Sequence, residues 1–326
     1  MTTPTAKPLL AALNSAPVVL FALVLLVFGL LSPAFLAPRS LLNVVVQSSP
    51  TAIVATGMTF VLLTAGVDLS VGATMYLVAA VGAKLVLGGA PLTATLAVMV
   101  VTGFVCGALN AWVVTRLGIL AFIATLGTQY VGRGLGLWLT ETRAMNLPDA
   151  YTWLASLRLA GVPLPVLVLL LVLALAHLVL TRTPFGRQVY AVGQDLEAAR
   201  KAGVNTRRIL AAVYVIAGIG AALGSILSLA QLSVVAPTFG VNKEFQAIAA
   251  AVLGGTSLFG GRGRVWPGTL LGALLIQGVE NGLVSLNADP YLYPLVTSAI
   301  IFLAVLMDSL RRQVLARLGR RRIRND

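Results

Sequence analysis

Residues 182–210, RTPFGRQVYAVGQDLEAARKAGVNTRRIL, form the longest charged interval of an otherwise apolar chain. Six basic side chains lie in this interval, against only Asp195 and Glu197. The interval is flanked on both sides by apolar runs long enough to cross a lipid bilayer. We therefore expect it to be a polar loop between membrane spans, and the other spans are assigned outward from it.

The centre of this loop has the sequence of a short, well-bounded helix. Asp195 can accept hydrogen bonds from the free N–H groups of a first turn. Residues 196–202 favour helix, and Glu197 and Lys201 are spaced as an i,i+4 ion pair. Gly203 is suited to the left-handed terminating position. A helix of about two turns is marginal alone, so we expect the neighbouring spans or a docked partner to stabilise it.

The composition indicates a membrane protein. The chain has 326 residues, of which 58% are hydrophobic and only 10% charged, and its mean hydropathy is +0.95. The net charge of +13 does not indicate a nucleic-acid partner, because aromatic residues do not interleave with the basic ones. The single cysteine, Cys106, and the single histidine, His177, exclude a disulfide framework and a Cys/His metal site.

The apolar segments predict an all-α polytopic fold with about ten transmembrane helices. Charge, glycine and proline mark off segments near 16–36, 41–65, 70–88, 92–115, 119–140, 163–181, 209–231, 245–259, 266–286 and 291–308. The eighth segment is short, and Ser48-Ser49-Pro50 is expected to break or kink the second. No soluble domain is expected, so residues 1–326 are predicted to form a single transmembrane domain.

The distribution of basic residues predicts the orientation. With the N-terminus in the cytoplasm and ten spans, seventeen Lys and Arg residues lie on the cytoplasmic side and five on the other. This asymmetry is what the positive-inside rule expects. It places both termini, the loop 182–208 and the basic tail 311–326 in the cytoplasm.

Polar side chains inside the predicted spans are candidates for a translocation path, because burying them in lipid is costly. As a mostly uncharged, hydrogen-bonding set they suit a polar, neutral solute, although Asn and Gln also bridge helices. Arg133 and Glu280 could pair with each other, since an unpaired buried charge is expensive, or each could lie near an interface and be solvated. Asp68 is expected to cap the helix that follows it. The candidate path residues are Asn43, Gln47, Asn110, Gln129, Arg133, Gln277, Glu280 and Asn281.

The sequence contains no recognisable catalytic motif. None of its four lysines lies in a phosphate-binding Gly-x-x-x-x-Gly-Lys-Ser/Thr loop, and no Gly-x-Ser-x-Gly elbow is present. We therefore expect a non-catalytic chain without a cofactor of its own. If ATP drives its action, another polypeptide must bind ATP and Mg.

Several motifs resemble the permease subunits of bacterial ABC importers, specifically the ribose/xylose/galactoside group of simple-sugar permeases. They are GVDLSVG at 66–72, FIATLGT at 122–128, TPFGR through AVG at 183–193 and AIAAAVLGGTSLFGGRG at 247–263. The resemblance runs from about residue 16 to 310. The turn residues that carry it are Gly66, Asp68, Ser70, Gly72, Gly254, Gly255, Gly260 and Gly261.

The resemblance implies a type II ABC importer-like permease bundle in the bacterial inner membrane. Two such subunits, identical or related, would enclose the path, with cytoplasmic ATPases below and a periplasmic sugar-binding protein above. The segment Glu197-Ala198-Ala199 followed by Gly203 resembles the EAA-x-x-x-Gly loop that docks on the ATPase. The implied coupling residues are Asp195, Leu196, Glu197, Ala198, Ala199, Arg200, Lys201 and Gly203.

The chain departs from the family pattern at two positions. Ala121 replaces the usual Pro before FIATLG, so the start of the fifth span can differ. Gln246 stands where an Asp commonly precedes Ala-Ile-Ala. If that Asp helps to receive the binding protein or the substrate, this chain does so differently.

Three other functions fit parts of the sequence. An ion-driven carrier would depend on a buried acid such as Glu280 and would need no ATPase. A related permease for branched-chain amino acids or another small solute would share the architecture. A membrane anchor would need no path, and the polar residues spread over several spans disfavour it.

Overall fold

The computed structural model describes residues 6–300 together with residues 302, 303, 306 and 309. The fold is predominantly helical. The helices are α1 Ala6–Leu31, α2 Pro38–Leu63, α3 Val71–Leu87, α4 Leu92–Arg116, α5 Ala121–Thr140, α6 Asp149–Ser156, α7 Leu164–Arg182, α8 Pro184–Gln194, α9 Leu196–Lys201, α10 Thr206–Leu232, α11 Lys243–Leu253 and α12 Leu270–Ser285. A 3-10 turn, Pro33–Leu36, follows α1, an irregular turn, Val265–Thr269, precedes α12, and residues 292–300 are also helical.

Two short strand pairs lie in the loops at one end of the bundle. β1, Met145–Asn146, pairs antiparallel with β4, Val234–Val235. β2, Arg158–Leu159, forms a small hairpin with β3, Val162–Pro163. The first pair fixes the end of α10 beside the segment after α5, and the chain continues from β4 into α11.

Four described helices are long and apolar enough to cross a membrane, namely α2, α4, α7 and α10. The chain is therefore a multi-pass membrane protein, and the number of about ten spans stays a prediction. The predicted eighth span, 245–259, is shorter in the structure, because α11 has 11 residues and ends before Gly254. At about 1.5 Å per residue it is only about 16 Å long, roughly half a bilayer core. Part of the predicted tenth span and the whole tail 311–326 lie outside the described residues.

α2 and α10 form the centre of the bundle. The C-terminal half of α2 is buried, and α10 packs against both α2 and α4. Glycines allow these helices to touch through their backbones. A side chain at Gly103 would meet the Gly218 carbonyl oxygen, and one at Gly57 would meet the backbone of Ala217. Small residues at crossings permit this close packing within a membrane.

The second span continues through Pro50 without the break that the sequence suggested. Proline has no N–H, so the carbonyl of Val46 lacks its usual helical donor. The side chain of Gln231, at the end of α10, donates to this oxygen at 3.0 Å. The hydroxyls of Ser48 and Ser49 donate to the neighbouring carbonyl of Val45 at 2.9 and 2.8 Å. These bonds explain how the helix tolerates an internal proline.

Replacing Gln231 with leucine is expected to destabilise the protein by about 1 kcal/mol, because the Val46 carbonyl loses its donor. In a Pro50→Ala background the alanine N–H can bond to Val46, so the same replacement should cost clearly less. Thermal unfolding of the four proteins of this double-mutant cycle in detergent measures the difference. An equal cost in both backgrounds would contradict this role for Gln231.

Candidate functional site: a coupling segment and the polar interior

The coupling segment consists of α8 and α9, between the long helices α7 and α10. Asp195 caps α9 by accepting from the Ala198 N–H at 2.9 Å. At the other end Gly203 has a φ of +84°, and the Val204 N–H donates to the Ala199 carbonyl at 3.1 Å. The left-handed Gly203 and the bond from Val204 to Ala199 form a Schellman motif, which ends the helix. α9 is thus a short helix held at both ends by local bonds.

The side chains of α9 leave one face exposed. Ala199 is buried against the bundle, whereas Leu196 is 45% exposed. Glu197 pairs with Arg200 at 2.7 Å, and not with Lys201 as the sequence suggested. Both partners are mostly exposed, so this pair contributes little stability. The exposed face remains available to a docking protein.

α8 docks on the glycine-rich loop formed by residues 254–263, here called the glycine loop. The hydroxyl of Tyr190 donates to the Gly263 carbonyl at 2.9 Å. The amide of Gln194 donates to the Gly261 carbonyl at 2.8 Å. The Gly261 N–H in turn donates to the Leu63 carbonyl, at the end of α2, at 2.9 Å. Burial raises the pKa of Tyr190, which keeps its hydroxyl protonated as a donor.

Gly193 is the point of closest approach in this contact. A Cβ at this position would collide with the Leu63 carbonyl oxygen and the Gly261 nitrogen. Both are backbone atoms, which a rotamer change cannot remove. The absence of a side chain at Gly193 therefore allows α8, α2 and the glycine loop to meet.

The glycine loop joins α8 to the short helix α11. The loop begins where α11 ends, and Gly254 packs against the backbone of Gly268. Gly272 of α12 lies directly against the Ala250 carbonyl of α11. α8, the glycine loop, α11 and α12 are thus joined by a continuous series of contacts.

One group of polar residues connects the turn at 66–72 with α4 and α5. The Asp68 carboxylate, only 1% exposed, accepts from the backbone and hydroxyl of Ser70 at 2.9 and 2.6 Å. Asn110 donates to the Ser70 hydroxyl at 2.7 Å and accepts from Thr128 at 2.6 Å. Asp68 therefore closes its own turn, and Asn110 links that turn to α5, whereas the sequence suggested that Asp68 caps the next helix.

Arg133 belongs to the same region and is bound by backbone rather than by Glu280. Its guanidinium donates to the Pro237 and Phe239 carbonyls at 3.2 and 2.8 Å, and it lies 4.7 Å from the centre of the Tyr76 ring. Its electrostatic partner is Glu244 of α11. Of the two possibilities left open for Arg133 and Glu280, the structure does not form the pair, because the chain after β4 lies against Arg133.

Glu244 is buried where α11 meets α3 and α5. It is 4% exposed and accepts from the Gln129 amide at 3.1 Å. A side chain at Gly72 would collide with its carboxylate and with the Gly240 carbonyl. The signature residue Gly72 therefore makes room for the start of α11.

A second polar group lies between α2 and α12. The Asn281 side chain donates to the side-chain amide oxygen of Gln47 at 2.8 Å, and the Gln277 side chain donates to the same oxygen at 3.4 Å. Asn43 is exposed one turn before Gln47. Glu280 interacts electrostatically with Lys243. The candidate path residues thus form two groups, and α11 contacts elements of both.

Lys243 and Glu244 were not among the candidate path residues. The Lys243 ammonium group nevertheless lies within the bundle, where it donates to Gln246 at 2.7 Å and to Thr51 at 3.4 Å. Two adjacent charges at the start of an apolar run were the available signal. Among the described residues, no group of three or more His, Cys, Asp or Glu side chains is arranged to hold a metal ion.

Comparisons with known proteins agree with this architecture. The family model described as "Branched-chain amino acid transport system / permease component" matches residues 40–306. The ribose import permease protein RbsC of Escherichia coli strain K12 is 40% identical over 286 residues, covering 86% of this chain and 88% of that protein. RbsC of Haemophilus influenzae is 36% identical, with coverages of 87% and 89%.

A further relative is the D-allose transport system permease protein AlsC of Escherichia coli strain K12. It is 35% identical over 294 residues, covering 89% of this chain and 90% of that protein. No solved structure matches the chain. The matched family and these high coverages show that the chain belongs to this family of permease components, and within it to the simple-sugar permeases of ABC importers.

Proposed function

We propose that this chain forms the translocation path of an ATP-driven importer for a monosaccharide and couples that path to a separate ATPase. The observation that carries the proposal is the continuous contact from α9 through α8 and the glycine loop to α11. The chain is a transport subunit without catalytic activity of its own. Relatives named for ribose and D-allose transport support a monosaccharide as the cargo.

The proposed assembly has four kinds of component. Two permease subunits, identical or related, enclose the path within the inner membrane. Cytoplasmic ATPases bind ATP and Mg and contact residues 195–203, and a periplasmic binding protein delivers the sugar. Both termini and the tail 311–326 lie in the cytoplasm, and about ten spans per subunit form a type II importer-like bundle.

The proposed coupling step uses the contacts of α8 and α9. Closure of the ATPases moves the exposed face of α9, and α8 moves with it. Gly193, Gln194 and Tyr190 pass this motion to the glycine loop. α11 then shifts between the two polar groups and changes which side of the membrane the path faces.

Co-purification of the tagged chain from native membranes tests the proposal. We expect an ATPase with a phosphate-binding loop and a secreted binding protein to come with it. If the chain supports uptake but brings down no ATPase, and uptake survives ATP depletion, an ion-coupled carrier using Glu280 would replace this proposal.

A double variant, Glu197→Ala with Gly203→Ala, should insert normally but lose coupling. Alanine is strained at the left-handed Gly203, so the end of α9 should change shape. We expect roughly tenfold or greater loss of uptake and of ATPase stimulation, since coupling free energies of about 1–3 kcal/mol correspond to about 5–150-fold.

The matched control is Glu141→Ala with Gly161→Ala. Glu141 is also an exposed acid, and Gly161 has a φ of +81° with open space around it. Both lie outside the coupling segment, so uptake should stay near the unmodified level. Normal uptake and normal ATPase stimulation in the Glu197/Gly203 variant would refute the assignment of the coupling segment.

A further inference from the structure

A cavity of about 630 Å³ lies between the start of α11, α12 and the segment 293–302. Its volume falls within the range of small-ligand sites. Three aromatic rings line it, those of Phe245, Tyr293 and Phe302. Hydrogen-bonding groups of Gln246, Glu280 and Ser298 face the same space. Apolar ring faces next to a few convergent polar groups indicate a selective site rather than a solvent-filled gap.

This lining matches the chemistry of an uncharged monosaccharide. A sugar ring has a flat face of C–H groups, which packs on aromatic rings, and a rim of hydroxyls, each a donor and an acceptor. Phe245 is 47% exposed and Phe302 is 66% exposed, so both rings are accessible for such packing. The cavity thus offers both kinds of surface that a sugar ring requires.

Glu280 can accept hydrogen bonds from sugar hydroxyls. Within the described part of the chain, no ion pair is formed by Glu280, and the nearby Lys243 directs its protons to Gln246 and Thr51 instead. The Glu280 carboxyl group is hydrogen-bonded by Gln277 and lines the cavity, where its remaining acceptor positions can be reached by a ligand.

Gln246 is oriented by the same lysine. Because its Oε1 accepts from Lys243 at 2.7 Å, the amide is fixed with its NH₂ group free to donate. The cavity thus presents a donor at Gln246, an acceptor at Glu280 and a hydroxyl at Ser298. An acidic residue at position 246 would pair with Lys243 and would offer no N–H donor.

We propose that this cavity is a monosaccharide-binding subsite, with Glu280 and Gln246 bound to hydroxyls and Phe245 packed on the sugar ring. The proposal rests on the proposed function, since it assigns a place on the path to the transported sugar. The described lining residues of the cavity include no Lys or Arg, and the nearby Lys243 is engaged by Gln246 and Thr51, so a phosphorylated sugar would find no counter-charge there.

Saturation-transfer NMR on the purified full-length chain tests the site directly. The probes are D-ribose, D-xylose, D-allose and D-galactose, each at millimolar concentration. We expect transfer to the ring protons of at least one neutral sugar and none to D-ribose 5-phosphate. Absence of transfer to any of the four sugars, or equal transfer to D-ribose 5-phosphate, would overturn the proposal.

Glu280→Gln, Phe245→Leu and Ser298→Ala should each weaken the signal. We expect roughly a tenfold loss of affinity for Glu280→Gln, because the amide keeps only one of the two oxygens of the carboxyl group. Phe245 and Ser298 are exposed, so their variants keep the test valid if Glu280→Gln fails to fold. The control is Thr102→Val, because the Thr102 hydroxyl bonds only within α4 at Val98.

Uptake by the complete importer separates this proposal from the function. If the unmodified importer shows no ATP-driven sugar uptake, the proposed function itself would be contradicted. If the Phe245→Leu and Glu280→Gln variants still take up sugar with ATP and with the KM of the unmodified importer, the subsite alone would be overturned. A raised KM with normal ATPase stimulation is the expected result.

Discussion

Replacing Gly193 with alanine is expected to stop transport almost completely while the ATPase still binds. The new methyl group would collide with the backbone of Leu63 and Gly261, so α8 must lift from the glycine loop. The bonds from Gln194 and Tyr190 to that loop would then break. Uptake should fall by more than about tenfold, because the series of contacts from α9 to α11 is interrupted.

The measurement combines three readouts on the same variant: co-purification of the ATPase, its stimulation, and uptake. We expect the first to persist, because α9 and its caps are unchanged. Gly127→Ala is the matched control, since Gly127 is also a helical glycine but has open space around it. Uptake of Gly193→Ala equal to that of this control would show that α8 does not transmit the motion.

Arg133→Leu should be the most destabilising change in the polar interior. It removes two hydrogen bonds to the carbonyls of Pro237 and Phe239 and leaves the buried Glu244 without its cation. We expect a loss of about 2–3 kcal/mol, below the roughly 3–5 kcal/mol for a fully buried pair, because Arg133 is half-buried. Thermal unfolding in detergent gives the comparison.

Adding Glu244→Gln should recover part of that loss. The glutamine carbonyl can still accept from Gln129, and no uncompensated charge remains. Arg143→Leu serves as the control, because Arg143 is 81% exposed and should change stability little. A double variant as unstable as the sum of the two single variants would contradict the pairing of Arg133 with Glu244.

The parts of the site that follow from local chemistry were predictable from the sequence. The cap at Asp195 and the terminator at Gly203 depend on residues within a few positions of each other. The family resemblance then predicted an ATPase as the partner of the short helix between them, which stays a prediction. Hydropathy in the same way indicated a multi-pass helical membrane protein.

The parts that depend on long-range packing were not predictable. An apolar run through residues 245–259 looks like a span, but α11 stops where Gly254 meets the backbone of Gly268. The partner of Arg133 depends on how the chain after β4 folds back, which no spacing rule reveals. Pro50 was expected to break or kink α2, and the continuity of this helix could not be foreseen because the compensating donor, Gln231, lies 181 positions away.

The contact between α8 and the glycine loop has a consequence for how such proteins diverge. Both hydrogen bonds from α8 end on main-chain carbonyls, at Gly261 and Gly263, which any residue can supply. The loop is therefore constrained in shape, whereas α8 is constrained in side-chain chemistry. A substitution at Tyr190 or Gln194 cannot be rescued by a compensating side chain in the loop. Covariation between homologues should accordingly be weak at this junction, even though it lies between the coupling segment and α11.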